Sequence, residues 1–583
     1  MALQSKEQER KEQKKKEKGA KEKEEAKINY ILRLLGRKRK PIEEVIHHEH
    51  EEQQSLNSVQ EEPITATGDQ DYENLTEEIA TAHNPLLSGV SSQPTEFITS
   101  SYWQMSTETN NLPIKVNYTS LTTESQRLTS KEILKTYNET SDLAFYTLDH
   151  LAYIIDHLNE PMPGAYKSLD SNHSWMTYWL LNAYSLIKRS GASEANEKED
   201  KSEPETNKTS KAQQNDDTQF TITPTMLELI NDKIERLILA NGYGGVAGGI
   251  NQLGHAASTY SAILTLVLTQ NYTLLNKLRP GIYSWLLSLK RKHFIAPDKS
   301  ASSFVMHEHG ESDTRSTYCV LVIASLLGIL TPELCAGVED WILQCQTYQG
   351  GFAGVPGVEA HGGLTYCALG ALFLLNSSPE KIREKMDQGQ SGVGVGKGFD
   401  KLVKWCVDRQ TDEGGFNGRS NKLVDACYGF WIGALFPMLD ILRTSKSSSK
   451  LYSSLHKEST IFNREAMLNY MLRIAQITDG DGGFRDKPGK WPDFYHTNYS
   501  LCGVSLCQHQ YYYDCYKDVN CDEKKPSNFC NNERDTPLAF KIKTKPVDGS
   551  GKSTYPVHPV FGVPVSYINA ACMYVEQGLG SVL

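Results

Sequence analysis

The sequence predicts an all-α chain: an α/α toroid (an α-α barrel) of about six helical-hairpin repeats, with an inner and an outer ring of helices. Three observations predict it. Six apolar runs recur, each opened by a short or polar residue and then a tyrosine: SWMTYWLLNAYSL, AASTYSAILTLVL, TRSTYCVLVIASLLG, GGLTYCALGALFLL, VDACYGFWIGALF and YHTNYSLCGVSL. Amphipathic segments such as PELCAGVEDWILQCQ and GFDKLVKWCVDRQ lie between them. Glycine-rich turns join the two kinds: NGYGG at 241–245, QGGF at 349–352, EGGF at 413–416 and DGGF at 481–484.

The apolar runs come first. Their tyrosines are Tyr178, Tyr260, Tyr318, Tyr366, Tyr428 and Tyr499, spaced by 82, 58, 48, 62 and 71 residues. Without the 28-residue polar stretch at 190–217 the first gap is 54, so the period suits a pair of helices plus turns. Self-similarity at such a period means one supersecondary unit stacked on its neighbours. The runs are too long for ordinary strands and too continuous for surface helices, so they belong buried, inside the ring. The segments between them alternate charge with apolar residues at helical spacing, which fits the outer ring. Glycine allows the positive φ and close approach that the connecting turns need.

The remaining sequence decorates this core. Residues 1–100 form a charged extension: a Lys/Glu/Gln run to residue 27, a short apolar-basic piece ending in GRKRK at 36–40, and an acidic HHEHEE run at 47–52. Such composition cannot bury a core. The toroid is expected over 101–583, with insertions near 190–217 and 514–555. The second insertion carries Cys515, Cys521 and Cys530, whose spacing does not match the paired short spacings of structural zinc sites. The net charge of −10 argues against a nucleic-acid binder. Twelve cysteines without a secretory leader, and no apolar run of about 18 residues, indicate a reduced, cytoplasmic protein without stable membrane insertion.

Aligning the repeats on the tyrosine exposes candidate chemistry. The preceding residue is Thr177, Thr259, Thr317, Thr365, Cys427 or Asn498, and three before the tyrosine stand Trp175, Ala257, Arg315, Gly363, Asp425 and His496. Polar groups thus gather at one end of every inner helix, where free N–H groups favour anions. The threonines are accounted for as N-caps. Asp425, Cys427 and His496 combine oxygen, sulfur and nitrogen donors, a set that suits zinc with one open position. D-x-C with a distant His is by itself a weak pattern, and a core cysteine beside two surface polar groups is the plain alternative. His361, Arg419, Lys422 and Tyr428 would suit a diphosphate, against the alternative of surface charge at turns. Trp175, Trp179, Tyr318, Trp431 and Tyr499 lie on inner helices and would line an apolar pocket or simply pack a core.

The stretches EAHGGLTYC, GGFNGRSNKLVDACYGFW and DKPGKWPDFYHTNYSLCG, followed by HPVFG at 558–562, resemble the protein farnesyltransferase β-subunit family over about residues 140–580. The resemblance implies that Asp425, Cys427 and His496 hold a catalytic Zn(2+), one per β subunit, and that Asp486 is a Mg(2+) ligand. It implies that His361, Arg419, Lys422 and Tyr428 hold the diphosphate of farnesyl diphosphate. It places Arg315, Tyr318, Cys367 and Trp431 along the isoprenoid, and Trp175, Trp179, Tyr495 and Tyr499 near the peptide and the end of the lipid. It further implies an obligate prenyltransferase α subunit, and acceptors that end in CaaX, such as small GTPases. Leu364 departs from the family pattern, which carries an aromatic after HGG. A type I geranylgeranyltransferase β subunit is the nearest rival, opposed by the bulk of Trp175 and by the acid of DKPGK. A toroidal terpene cyclase would need a D-x-D-D acid run, which is missing. A non-catalytic scaffold for prenylated tails is opposed by the intact ligand sets.

Overall fold

The computed structural model describes residues 120–140, 143–162, 164–188, 220–239, 244–296, 299–388, 398–444, 461–513, 536–547 and 553–578. The charged extension, the polar stretch at 190–217 and Cys515, Cys521 and Cys530 lie outside the described residues.

Helices dominate. In chain order they are α1 (Leu121–Glu139), α2 (Thr147–Asn159), α3 (His173–Leu186), α4 (Pro224–Leu239), α5 (Ala256–Leu268), α6 (Tyr272–Ser288), α7 (Thr314–Leu326), α8 (Pro332–Cys335), α9 (Val338–Gln344), α10 (Gly362–Leu375), α11 (Pro379–Gln388), α12 (Gly398–Val407), α13 (Tyr428–Trp431), α14 (Leu435–Thr444), α15 (Arg464–Asn469), α16 (Phe494–Gln508) and α17 (Val565–Gly578). α3, α5, α7, α10, α13 and α16 pack in that order, and α16 returns to α3, so the inner ring is closed. These helices are buried almost all round: every described side chain of α5 except Ala257 is buried, as is every one of α7 except Arg315. The outer ring shows the expected amphipathic pattern, as in α12, where Phe399, Leu402, Trp405 and Cys406 face inward.

The all-α class holds with two short antiparallel hairpins beside the helices, β1 (Lys290–Ala296) with β2 (Lys299–Phe304), and β3 (His509–Tyr513) with β4 (Ile542–Pro546). The second lies partly inside the stretch read as irregular, where alternating Lys and apolar or short residues pair as a strand. Two expectations need correction. The fifth inner run is broken rather than continuous. α13 stops after four residues, the carbonyl of Tyr428 accepts from both Ile432 and Gly433, and the chain resumes as α14.

The repeat register is the second correction. The threonines are not N-caps. His255, Asp313, His361 and Asp493 cap α5, α7, α10 and α16, accepting from Ala257 N (3.2 Å), Arg315 N (2.8 Å), Gly363 N (3.1 Å) and His496 N (2.7 Å). Thr259, Thr317, Thr365 and Thr497 stand four residues on and accept the N–H of Val246, Phe304, Phe352 and Phe484, each 13 residues earlier. They clamp the incoming turn to its own inner helix. In this register Thr497, not Asn498, is the equivalent threonine, and Asp425 corresponds to the caps: its N–H reaches Phe416 O (3.1 Å) as that of His361 reaches Phe352 O. Asp425 is therefore the counterpart of Asp493, and not of His496.

The same register explains the shared tyrosine. Tyr318 and Tyr366 donate to Val560 O (2.6 and 2.9 Å), Tyr178 donates to Gly562 O (3.2 Å), and Asn182 donates to Gly562 O (2.8 Å). The 558–562 segment thus runs into the centre of the ring and is held by three inner helices. Each such bond contributes about 1 kcal/mol net. In the last two repeats the axial position falls to Phe430, whose ring packs against Gly562, and to Asn498, which accepts from Asn182 (2.8 Å). Tyr428 and Tyr499 are released from this structural task.

Candidate functional site

The N-terminal ends of the inner helices share one end of the ring, and the caps stand there. Asp425, Cys427 and His496 converge at this end, with one donor atom from each lying within 4.8 Å of the others. Two backbone devices bring them together. Asp425 Oδ1 accepts the Cys427 N–H (2.9 Å), which folds the Asp-Ala-Cys step back on itself before α13. Asp493 places His496 twice over, accepting its N–H at Oδ1 and its ring Nδ1–H at Oδ2, both at 2.7 Å. With the proton fixed on Nδ1, the Nε2 lone pair is the free one. His496 Nε2 is buried, stands 3.2 Å from Asp425 Oδ1 and makes no aligned hydrogen bond.

The electrostatics fit a metal. Burial opposes charge on His496, but Asp425 and Asp493 outweigh it and lift the imidazole to about 10. Burial also works against Asp425, yet His496 and the Cys427 N–H hold its carboxyl down at about 2. Burial, reinforced by the Asp425 charge, pushes the Cys427 thiol well up. The Asp425 carboxylate thus favours a proton on each of its two neighbours, His496 and Cys427. A divalent cation replaces the protons. The donor set and the orphaned Nε2 both fit zinc.

Asp486 stands beside this centre. Its carbonyl accepts Ala426 N–H (3.1 Å) and the Tyr470 hydroxyl (3.0 Å), so it is locked to the Asp425–Cys427 step. Oδ2 pairs with Lys487, whereas Oδ1 is buried without a hydrogen bond. Burial and the charge of Asp425 raise its carboxyl. A carboxylate oxygen left unsatisfied at this position fits a second cation.

The basic group lies on the adjoining helix ends. His361 accepts from Gly363 N–H at Nδ1, so Nε2 carries the proton and reaches the Tyr428 hydroxyl at 3.0 Å. Burial and the nearby Arg419 hold His361 below its ordinary value, so it is neutral near pH 7. Gly418 makes room for Tyr428: a Cβ there would sit 2.2 Å from the hydroxyl. Arg419 pairs with Glu359, and Lys422 is exposed. Arg315 is half-exposed, forked onto Asp313 at 2.6 and 3.0 Å.

The aromatic residues form a continuous wall. Trp175 meets Trp179 and Tyr260 (5.6 Å each), Trp179 meets Tyr495 (5.5 Å), Tyr495 meets Tyr499 (4.9 Å), and Tyr499 meets Trp431 (4.5 Å). Trp431 Nε1–H donates to Tyr495 OH (2.8 Å), which ties the wall to the metal side. Tyr260 and Tyr318 continue it at 5.6 Å, and Cys367 is buried on α10. Tyr318 presents a ring only, because its hydroxyl is taken by Val560.

Sequence reasoning missed Asp493, Glu359, Tyr470 and His255. Asp493 and His255 are legible once the caps are aligned with Asp313 and His361. Glu359 and Tyr470 had no signal: Glu359 meets Arg419 of the next repeat, and Tyr470 meets a backbone carbonyl, that of Asp486, which no side-chain pattern marks.

A family profile described as the prenyltransferase alpha-alpha toroid domain matches residues 145–563. The chain is 33% identical over 447 residues to "Protein farnesyltransferase subunit beta" of Schizosaccharomyces pombe, covering 76% of this chain and 93% of that protein. It is 32% identical over 466 residues to the protein of the same description from Saccharomyces cerevisiae, covering 79% and 88%. To "Geranylgeranyl transferase type-1 subunit beta" of Arabidopsis thaliana it is 31% identical over only 258 residues, covering 44% and 60%. Among the described residues no helix is long and apolar enough to cross a membrane.

Proposed function

This chain belongs to the prenyltransferase α/α-toroid family and, within it, to the protein farnesyltransferase β subunits, and from that premise we propose how its own residues carry out the transfer. The reading is a zinc-dependent transfer of a farnesyl group from farnesyl diphosphate to the cysteine thiol of a C-terminal CaaX motif. The observation that carries it is the convergence of Asp425, Cys427 and His496 beside the His361–Tyr428 pair.

Asp425, Cys427 and His496 would hold zinc, which when bound lowers the pKa of an acceptor thiol and so supplies a thiolate near neutral pH. Asp493 keeps the His496 lone pair aimed at that centre. Asp486 would hold magnesium, which neutralises charge on a diphosphate. His361 Nε2–H and the Tyr428 hydroxyl are paired in the free protein and become donors to an anion that intervenes. Arg419 exchanges Glu359 for the same anion, and Lys422 adds a solvated charge. These donors stabilise the charge that grows on the leaving diphosphate as the C1–oxygen bond breaks and the carbon–sulfur bond forms. The wall from Trp175 to Trp431 binds the apolar chain and excludes water, and Arg315, Tyr318 and Cys367 border its other side.

An α subunit as partner is supported by the rim. Ile250, Leu253, Tyr348, Val358 and Trp491 are 65%, 70%, 83%, 50% and 87% exposed, and all lie in the connections that surround the site. A cluster of exposed apolar groups on one rim marks an interaction surface. Trp175 packs against Tyr260 at 5.6 Å, and its bulk on this wall would favour fifteen carbons over twenty.

The test is Cys427→Ala, co-produced with its α partner and assayed for farnesyl transfer to a CaaX peptide. Loss of transfer, together with loss of bound zinc, is expected. Full activity in that variant overturns the mechanism.

A further inference from the structure

The turns that deliver the inner helices are alike in two repeats and different in a third. Gln346 and Gln410 each stand six residues before the turn phenylalanine, Phe352 and Phe416. Gln346 Nε2 donates to Gly350 O and to Gly398 O, and Gln410 Nε2 to Gly414 O and Asn463 O, all at 2.9 Å. Each glutamine therefore holds its own turn and the start of the next outer element. Gln476 is the equivalent residue where the ring closes, but it stands eight residues before Phe484. The turn is two residues longer. Its glycines, Gly480, Gly482 and Gly483, adopt φ values of +89°, +69° and +79°. Gln476 no longer reaches a glycine carbonyl of its own turn; its Nε2 donates to Ala144 O (2.9 Å) and Leu472 O (3.0 Å).

His150 of α2 holds this turn by a different contact, accepting a glycine N–H rather than donating to a glycine carbonyl. It is fully buried. Nδ1 accepts Gly483 N–H at 3.0 Å, so the proton is on Nε2, which donates to Gln476 Oε1 at 2.9 Å. Its ring stacks on Phe484 with centroids 4.6 Å apart. From that turn the chain runs both ways into the site. Phe484 N–H is clamped by Thr497 on α16, and Phe484 O accepts the N–H of Asp493, which orients His496. Two residues after Phe484 comes Asp486.

We propose that His150 is a positioning residue: its Nδ1, through Gly483, sets the lengthened turn from which Asp486 and Asp493 are presented, while its Nε2 separately latches the first outer helix to the last repeat. The inference deepens the catalytic reading above and rests on it. The two ring nitrogens can be tested one at a time. Asparagine places an acceptor oxygen where Nδ1 stands, and glutamine places a donor nitrogen where Nε2 stands. His150→Asn is expected to keep the turn and lose the latch. His150→Gln is expected to keep the latch and lose the turn.

The experiment compares both variants with the parent chain, each as the complex with its α partner. It reads amide hydrogen exchange over 479–486, zinc content, thermal midpoint and farnesyl transfer against magnesium concentration. Asp486→Asn is the control. For His150→Gln the expected result is exchange over 479–486 at least 10-fold faster, kcat about 5- to 20-fold lower, a raised magnesium requirement and KM for peptide within 2-fold. For His150→Asn, kcat within 2-fold and a lower thermal midpoint are expected. His150→Gln with parental exchange and kcat overturns the inference, as do two variants whose kcat losses follow only their thermal midpoints. A parent chain whose transfer ignores magnesium and is unchanged by Asp486→Asn defeats the assignment of Asp486 instead, and exchange at Gly483 then still decides the role of His150.

Discussion

Asp493 does two jobs with two oxygens, and the jobs separate by mutation. Oδ1 caps α16 at His496 N, and Oδ2 holds the Nδ1 proton of the His496 ring, both at 2.7 Å. Asp493→Asn leaves a carbonyl oxygen for the cap. Its amide nitrogen cannot accept a proton, so the ring loses the partner that fixes its tautomer. Loss of an N-cap costs about 1 kcal/mol, and loss of an orienting partner behind a metal ligand costs about 10- to 100-fold in metal affinity, or about 1.4–2.7 kcal/mol. Asp493→Asn should then bind zinc about 10- to 100-fold more weakly, and because it keeps the helix cap it should lose less stability than Asp493→Ala. Asp493→Ala should show the same loss plus about 1 kcal/mol of destabilisation. The assay is zinc competition against a calibrated chelator, with unfolding of the metal-free protein followed in parallel. Parental zinc affinity in Asp493→Asn would refute the orienting role. A stability loss in Asp493→Asn as large as in Asp493→Ala would refute the division of labour.

The metal-free protein should bind zinc more weakly as pH falls from 10 towards 7, because His496, lifted to about 10 by Asp425 and Asp493, must give up its proton; calorimetry in buffers of different ionisation heat counts the protons released. Burial holds His150 at about 4, so below the ordinary 6.5 the unfolded chain takes up a proton that the folded chain refuses. Stability from this residue is thus complete above pH 6.5 and falls by about 3 kcal/mol on going to pH 4, and His150→Gln should remove that part of the slope in urea unfolding. Arg419→Ala should lower kcat/KM for farnesyl diphosphate about 10- to 100-fold, the value of a charge-assisted bond, whereas Glu359→Gln should improve it slightly by freeing the guanidinium. Gly418→Ala should act on the same step from behind, because its Cβ displaces the Tyr428 hydroxyl; weaker diphosphate binding with unchanged zinc content is the expected pattern.

The fold was legible because burial of the inner helices is almost total. A helix apolar on every side cannot be mistaken for a surface element, and six apolar runs with amphipathic partners leave few arrangements, even with the fifth run broken. The cap register was not legible in that way. Aligning on tyrosine works for Tyr260, Tyr318 and Tyr366, whose hydroxyls or rings serve the centre of the ring. It slips at Tyr428 and Tyr499, where Phe430 and Asn498 occupy the axial place. Asp425, Cys427 and His496 come together in space despite the slip; their spacing alone was a weak pattern, and it was the resemblance that gave them a common role. Asp493 was passed over because a carboxylate at a helix start reads as an ordinary cap. His150 was passed over because a histidine inside an amphipathic outer helix shows nothing of the turn it meets more than three hundred residues later. Arg315 illustrates the opposite case: the resemblance places it beside the lipid, whereas its guanidinium is forked onto Asp313.

The most direct test of the central claim is prenyl transfer to a CaaX peptide by this chain with its α partner, after metal stripping and zinc return, with equal farnesyl and geranylgeranyl diphosphate competing. Zinc-restored, preferential farnesyl transfer, shifting towards the longer lipid in Trp175→Thr, is the predicted result. Transfer that survives metal stripping, or no transfer of either lipid with zinc restored, would contradict the account.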